Sequence, residues 1–138
     1  MREISSQLIS DAVRGLLIEA NYVIGPDVEA RMRSCMAAEP SPEGRDVMRQ
    51  LLENYEIART ERVAICQDTG MAVVFLDVGQ DVHIEGDLGE AVSDGVRRAY
   101  RDGYLRKSVV RDPLYDRANT GDNTPPILHT RIVPGDRI

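Results

Sequence analysis

Met71-Ala72-Val73-Val74-Phe75-Leu76-Asp77-Val78 is the stretch that most limits what this chain can become. It is an apolar run of strand length, and it reads as a buried strand. Directly before it stands Ile65-Cys66-Gln67-Asp68-Thr69-Gly70, which sets a soft metal ligand, an amide, a carboxylate, a hydroxyl and a glycine in a row. A polar loop feeding a buried strand holds reactive side chains at fixed positions, because the strand anchors what the loop presents. A second polar loop, Asn119-Thr120-Gly121-Asp122-Asn123-Thr124, follows later and reads as its companion.

The residues ahead of this junction have a different period. Ile4, Leu8, Ala12, Leu16 and Ala20, flanked by Ile9, Val13 and Leu17, trace one face of an amphipathic helix. Ser5 or Ser6 can cap it, and Gly25-Pro26 closes the connection. A second helix is expected from Asp27 to about Glu39, with Val28, Met32, Cys35 and Met36 on one face and Cys35 serving as packing. Pro40 ends it. Ser41-Pro42-Glu43 then starts a third, with a cap, a proline at the first helical position and an acid near the positive end of the dipole. Its buried stripe is Val47, Met48, Leu51, Leu52, Tyr55 and Ala58.

From Val63 the pattern changes. Val63-Ala64-Ile65 predicts a short strand into the Cys66 loop, Gly79-Gln80-Asp81 a turn, and Val82-His83-Ile84 a strand with His83 pointing outward. Asp87 and Glu90 have capping-box spacing. The helix they open carries Leu88, Ala91, Val92, Gly95, Val96 and Ala99 on one side, and Gly103 is expected to end it in a left-handed conformation. Arg97, Arg98 and Arg101 lie off that apolar side and read as solvated; Arg106 and Lys107 follow the helix, where they can reach over a cleft. The turn-rich segment from Asp112 to Pro126 predicts a long ordered loop, because Val109, Val110 and Leu114 interleave with its polar residues. Ile127 to Val133 predicts a strand, and Arg137-Ile138 the first step of another, so the chain reads as a fragment. The fold class expected is α+β: a single domain over 1–138, helical over 1–61, with a sheet, a further helix and the site residues over 62–138.

Composition removes several functions. At 138 residues with 42% hydrophobic content, one core is within reach. A formal charge of −6 argues against general affinity for nucleic acid. No run of eighteen apolar residues spans a membrane, and the lack of a secretory signal points to the cytoplasm. Two cysteines in such a compartment read as thiols.

Taken singly, these motifs are unspecific. Cys66 alone reads as a buried thiol, Asp68-Thr69-Gly70 as an Asx-type turn, Arg106 as a surface cation and Asn119–Thr124 as a loop. Taken in order, they resemble a known family. Ile65–Gly70, then Ser108-Val109-Val110-Arg111-Asp112-Pro113-Leu114, then Asn119-Thr120-Gly121-Asp122-Asn123-Thr124-Pro125, then Val133-Pro134-Gly135-Asp136, are similar to the N-terminal portion of class I fumarase and L(+)-tartrate dehydratase α subunits.

That resemblance implies an iron–sulfur hydro-lyase acting on a small dicarboxylic acid, with three cysteines holding a [4Fe–4S] cluster. Cys66 matches the first of the three; the other two would lie beyond Ile138. Gln67 and Asp68 match residues that contact substrate and the oxygen added or removed, which makes Asp68 the catalytic candidate. Arg106 matches an arginine that binds a substrate carboxylate. Asn119, Thr120, Asp122, Asn123 and Thr124 form a possible site loop without assigned roles. The general base comes from a β subunit or β domain, and the assembly is an oligomer. The residues alone are expected to be inactive.

The residue types suit the chemistry. A thiolate holds iron, Asp68 can relay a proton, Gln67 donates without adding charge, and Arg106 grips a carboxylate bidentately. The alternative is a non-catalytic assembly module that docks the rest of the α subunit or a β partner.

Overall fold

The computed structural model describes all 138 residues and has an α+β architecture. In chain order the elements are β1 (Arg2–Ser5), α1 (Ser6–Tyr22), α2 (Pro26–Ala38), α3 (Pro42–Glu61), β2 (Val73–Gly79), β3 (Val82–Glu85), α4 (Leu88–Asp102) and β4 (Ile127–Val133). The chain divides into two compact units. One joins Met1–Ile18 to Asp68–Ile138; the other is Glu19–Gln67.

The first unit carries two parallel sheets of two strands each. β1 pairs with β3, Ile4 opposite Ile84, and β2 pairs with β4, from Val73 opposite Ile127 to Gly79 opposite Val133. β2 and β3 are separated only by Gln80-Asp81, yet they belong to different sheets. The turn is tied down by the chain after β4, since Gln80 N–H donates to the Val133 carbonyl at 2.8 Å and Asp81 N–H to the Gly135 carbonyl at 2.9 Å.

The apolar run predicted as a buried strand is only partly covered. Phe75 is 78% exposed and stacks on His129 with ring centroids 5.0 Å apart, and Val73 is also exposed. Only Val78 and Gly79 are buried within β2. The β2 face that carries Val73 and Phe75 is left open by these 138 residues, so its apolar character does not report burial within them.

α4 is the core of this unit. Ala91, Val92, Gly95, Val96, Ala99 and Tyr100 are all buried, and the Asp87 carboxylate caps the helix by accepting from Glu90 N–H at 2.9 Å. Gly95 lies against α1: a Cβ there would come within 2.7 Å of both the Ser10 carbonyl oxygen and Val13 Cβ. Polar contacts seal the margin of this packing. Ser10 Oγ donates to Asp94, Arg98 pairs with Asp11 at 2.7 Å, and Arg14 pairs with Asp102 at 2.7 Å.

Gly103 does not adopt the left-handed conformation expected of it. Its φ is −88°, and Tyr104 takes the positive φ of 51° instead. Space explains the glycine: a Cβ at 103 would sit 3.0 Å from the Ala99 carbonyl oxygen and 3.2 Å from Ile18 Cγ1. β1, which takes up Ile4, is not signalled by the sequence pattern; α1 starts at Ser6 with the expected cap, Ser5 Oγ accepting from Leu8 N–H.

The second unit holds α2, α3 and the segment that follows. α2 buries no residue, and Cys35, expected to pack, is exposed. α3 is capped as predicted, with Ser41 Oγ accepting from Gly44 N–H at 3.1 Å. Its stripe is buried at Leu52 and Ala58 only; Val47 and Leu51 are exposed. The helix ends at Arg62, whose φ is 56°; its guanidinium lies over the Tyr22 ring at 5.1 Å and pairs with Glu19 at 3.0 Å. The strand predicted over Val63–Ile65 is absent. Instead Ile65 N–H donates to the Asn21 carbonyl and Asn54 Nδ2 donates to the Ile65 carbonyl, each at 2.9 Å. A helix end and an amide satisfy these backbone groups where a neighbouring strand would have done so.

Candidate functional site

In the first unit the turn Asp68-Thr69-Gly70 is held by three separate segments. Thr69 Oγ1 donates to the carbonyl of Arg106. The Gly70 carbonyl accepts from Tyr100 OH at 3.1 Å and from Asn123 Nδ2 at 3.0 Å. Gly70 itself has φ +62°, a backbone state that suits glycine. Tyr100 reaches the turn from the last turn of α4 and is 1% exposed; burial pushes its phenol above the ordinary value of 10.0.

Asn123 is the other end of the clasp. It is fully buried and left-handed, with φ 63°. Its Oδ1 accepts from Ser108 N–H at 2.6 Å and Val109 N–H at 3.0 Å, while its Nδ2 serves Gly70. Its amide thus serves two backbone segments far apart in sequence.

The long loop is ordered, as expected, and the reason is a short antiparallel pairing. Val110 bridges Asn119, Arg111 N–H donates to the Ala118 carbonyl at 2.9 Å, and Thr120 N–H donates to the Val109 carbonyl at 3.0 Å. At the tip, Asp112 accepts from the N–H groups of Leu114 and Tyr115. Asn119 donates to the Lys107 carbonyl at 3.0 Å and accepts from Gly121 N–H. Asp122 accepts from the Thr124 hydroxyl and N–H and pairs with Arg97 at 3.2 Å. Burial pushes the Asp122 carboxyl up, but the Thr124 bonds and Arg97 outweigh it and hold it below the ordinary 3.8.

The cations sort into two groups. Arg97, Arg98 and Arg101, read from the sequence as solvated, are committed to acids: Arg97 to Glu90 and Asp122, Arg98 to Asp11, Arg101 to Asp102. Acidic side chains on α1, on α4 and in the long loop claim them. Arg106, Lys107 and Arg111 are exposed and enter no ion pair. The positive charge available to an anion in this stretch is therefore that of the post-helix residues.

The sequence candidates are thus distributed as follows. Asp68, Arg106 and the Asn119–Thr124 loop lie in the first unit, with the Asp68 turn, the Arg106–Val109 stretch and Asn123 joined in one hydrogen-bonded network. The side chains of Asp68 and Arg106 are exposed. Cys66 and Gln67 close the second unit and are also exposed; Cys66 follows Ile65, which is pinned through both backbone groups. Within these 138 residues no three His, Cys, Asp or Glu side chains are placed to hold a metal. A surface cleft lies on the β2–β4 sheet, between Phe75, His129, Arg131 and Ile138, and no candidate residue lines it.

Sequence reasoning missed Tyr100 and Thr69. Tyr100 continues the Val92–Val96 spacing by one more turn, which would have placed it on the buried side. Nothing local marks Thr69 as a partner of Arg106, thirty-seven residues away.

With this geometry in place, comparison with known proteins is decisive about ancestry. The profile of the family described as Fumarate hydratase (Fumerase) matches residues 10–138, and the chain belongs to that family. Its relatives carry two kinds of name. It is 32% identical over 120 residues to the anaerobic class I fumarate hydratase of Escherichia coli, covering 86% of this chain and 22% of that one. It is 30% identical over 98 residues to the L(+)-tartrate dehydratase subunit alpha of the same organism, covering 71% and 32% respectively. A Methanocaldococcus jannaschii protein provisionally named as that subunit is 31% identical over 121 residues, covering 85% of this chain and 42% of that one. The chain therefore spans less than half the length of these curated relatives.

Proposed function

We propose that these residues form part of a hydro-lyase that reversibly adds water to, or removes it from, a small dicarboxylic acid of the fumarate/malate type, with tartrate as the alternative substrate. Family membership over residues 10–138 supports the reaction class. The observation that carries the site is the network linking the Asp68 turn, the Arg106 stretch and Asn123. It gathers a carboxylate segment and a cation segment that the sequence separates by almost forty residues.

In this reading the exposed guanidinium of Arg106, uncommitted to any acid, grips one substrate carboxylate bidentately. Gln67 donates its amide to substrate without adding charge. Asp68 holds or passes the proton of the oxygen being added or removed. Cys66, an exposed thiol beside a pinned residue, suits one ligand of a [4Fe–4S] cluster. Its donor set is one thiol, so the other ligands would come from outside these residues. When bound, such a cluster supplies Lewis acidity toward the substrate hydroxyl. A β subunit or β domain would supply the general base, in line with the relatives named as alpha subunits. The working assembly would be an oligomer in the cytoplasm.

The test is anaerobic reconstitution of the complete protein with its partner, followed by fumarate hydration and tartrate dehydration assays. Cys66→Ser is expected to lower iron content and abolish turnover. Unchanged iron and turnover in that variant would remove Cys66 from the site.

A second reading, a non-catalytic assembly module, is favoured by the exposed side chains of Phe75, Ile127 and Ile132 on the β2–β4 sheet. A complete, cluster-loaded complex that binds its partner but turns over neither acid would favour it.

A further inference from the structure

We infer that Asn123 is the positioning residue that sets the spacing between the Asp68 turn and the Arg106–Val109 stretch. This rests on the hydro-lyase reading for its kinetic consequence but not for its structural one. The asparagine contacts neither unit of chemistry directly: its Oδ1 takes the N–H groups of Ser108 and Val109, and its Nδ2 gives a hydrogen to the Gly70 carbonyl. Asp68 lies two residues before that carbonyl and Arg106 two residues before Ser108. One planar amide thus ties both termini of the arrangement, and its own side chain does so at 0% exposure.

The residue type is specified three ways. An acceptor is required on one side and a donor on the other, which a carboxylate cannot supply when ionised. The backbone is left-handed at φ 63°, which asparagine tolerates better than most residues. Thr69 and Tyr100 add a second and a third tie on the turn, from Thr69 Oγ1 to the Arg106 carbonyl and from Tyr100 OH to the Gly70 carbonyl. Neither of these ties reaches Ser108 or Val109. Asn123 alone links that pair of N–H groups to the Asp68 turn.

Asn123→Asp separates positioning from folding. It keeps the acceptor for Ser108 and Val109 but sets a second oxygen against the Gly70 carbonyl. Asn123→Gly removes the whole side chain and leaves the backbone state accessible. Two measurements are made on the complete protein. In hydrogen exchange, Asn123→Asp is expected to speed exchange over residues 68–71 while residues 108–109 stay protected, and Asn123→Gly to speed both. In Asn123→Asp, lowering the pH should restore protection over 68–71, because burial raises the pKa of the carboxyl, and once it has taken up a proton it donates in place of the amide. In steady-state kinetics on fumarate or tartrate, Asn123→Asp is expected to lower kcat/KM on the order of 10- to 100-fold through a raised KM, the scale of a misplaced binding group.

Equal exchange in wild type and Asn123→Asp overturns the inference, as does a kinetic loss that merely tracks the folded fraction. Uncoupled exchange in a protein that turns over neither acid would sink the hydro-lyase reading and leave the structural tie standing.

Discussion

α2 and α4 are helices of similar length, 13 and 15 residues, with opposite relations to the rest of the protein. α4 buries six residues, and its last turn delivers a phenol to the Asp68 turn. α2 buries none; it is stabilised by a proline in its first turn, acids at its positive end, and surface pairs such as Arg33 with Glu29. Both are legible as helices from sequence. What separates them is burial: α4 is covered along its apolar side, whereas α2 meets α3 without burying any residue. Periodicity thus reports that a face could be buried, and the tertiary structure decides whether it is.

Gly95→Val should expose this contrast most strongly. A side chain there drives into the Ser10 carbonyl and Val13, with a destabilisation of about 3 kcal/mol or more. Urea unfolding reads it directly, and a loss below about 1 kcal/mol would mean that α1 and α4 can move apart cheaply. Next in size is a matched pair of valines. Val92→Ala, at 0% exposure, is expected to cost about 2 kcal/mol. Val28→Ala on α2, where the residue is 46% exposed, should stay within about 0.5 kcal/mol. Equal losses at the two positions would erase the distinction.

The smallest effect concerns acid stability. Asp102 is held at about 2, below the ordinary 3.8, by hydrogen bonds from Arg101 and then Arg14. The fold therefore favours its ionised form. Its contribution is complete above pH 3.8 and is lost as pH falls toward 2. Asp102 is partly open to solvent, so screening keeps the effect modest, and Asp102→Asn should flatten the dependence of stability on pH in that window. A variant whose acid limb matches the wild type would show that α1 and α4 do not rely on this carboxylate.

How much of this was readable beforehand depends on whether the signal is local. The capping serine and aspartate at 41 and 87, the apolar side of α4, β4 and the ordered loop all announce themselves within a few residues. β1 does not: it is four residues long with one apolar side chain, and its partner lies about eighty residues on. Arg62 in a left-handed state carries no glycine to flag it, and its placement depends on Tyr22 and Glu19. The same holds for the site. Its chemical groups were legible as types, and the asparagine-rich loop as a companion. That Asn123 would turn inward as a buried brace was not, because its partners at 70, 108 and 109 are joined only by tertiary structure.

The parallel pairing of β2 with β4 fixes when these groups can meet. Each register point joins residues fifty-four positions apart, and the enclosed stretch contains β3, α4, Ser108, Val109 and Asn123, while Gly70 lies just ahead of it. Closing so long a parallel connection costs entropy before it returns any contact. During synthesis, a nascent chain that has not yet emerged past Val133 holds β2 without its mate. The carboxylate turn, made early, collects its ties in chain order from Tyr100, Arg106 and Asn123, and its strand pairs only afterwards.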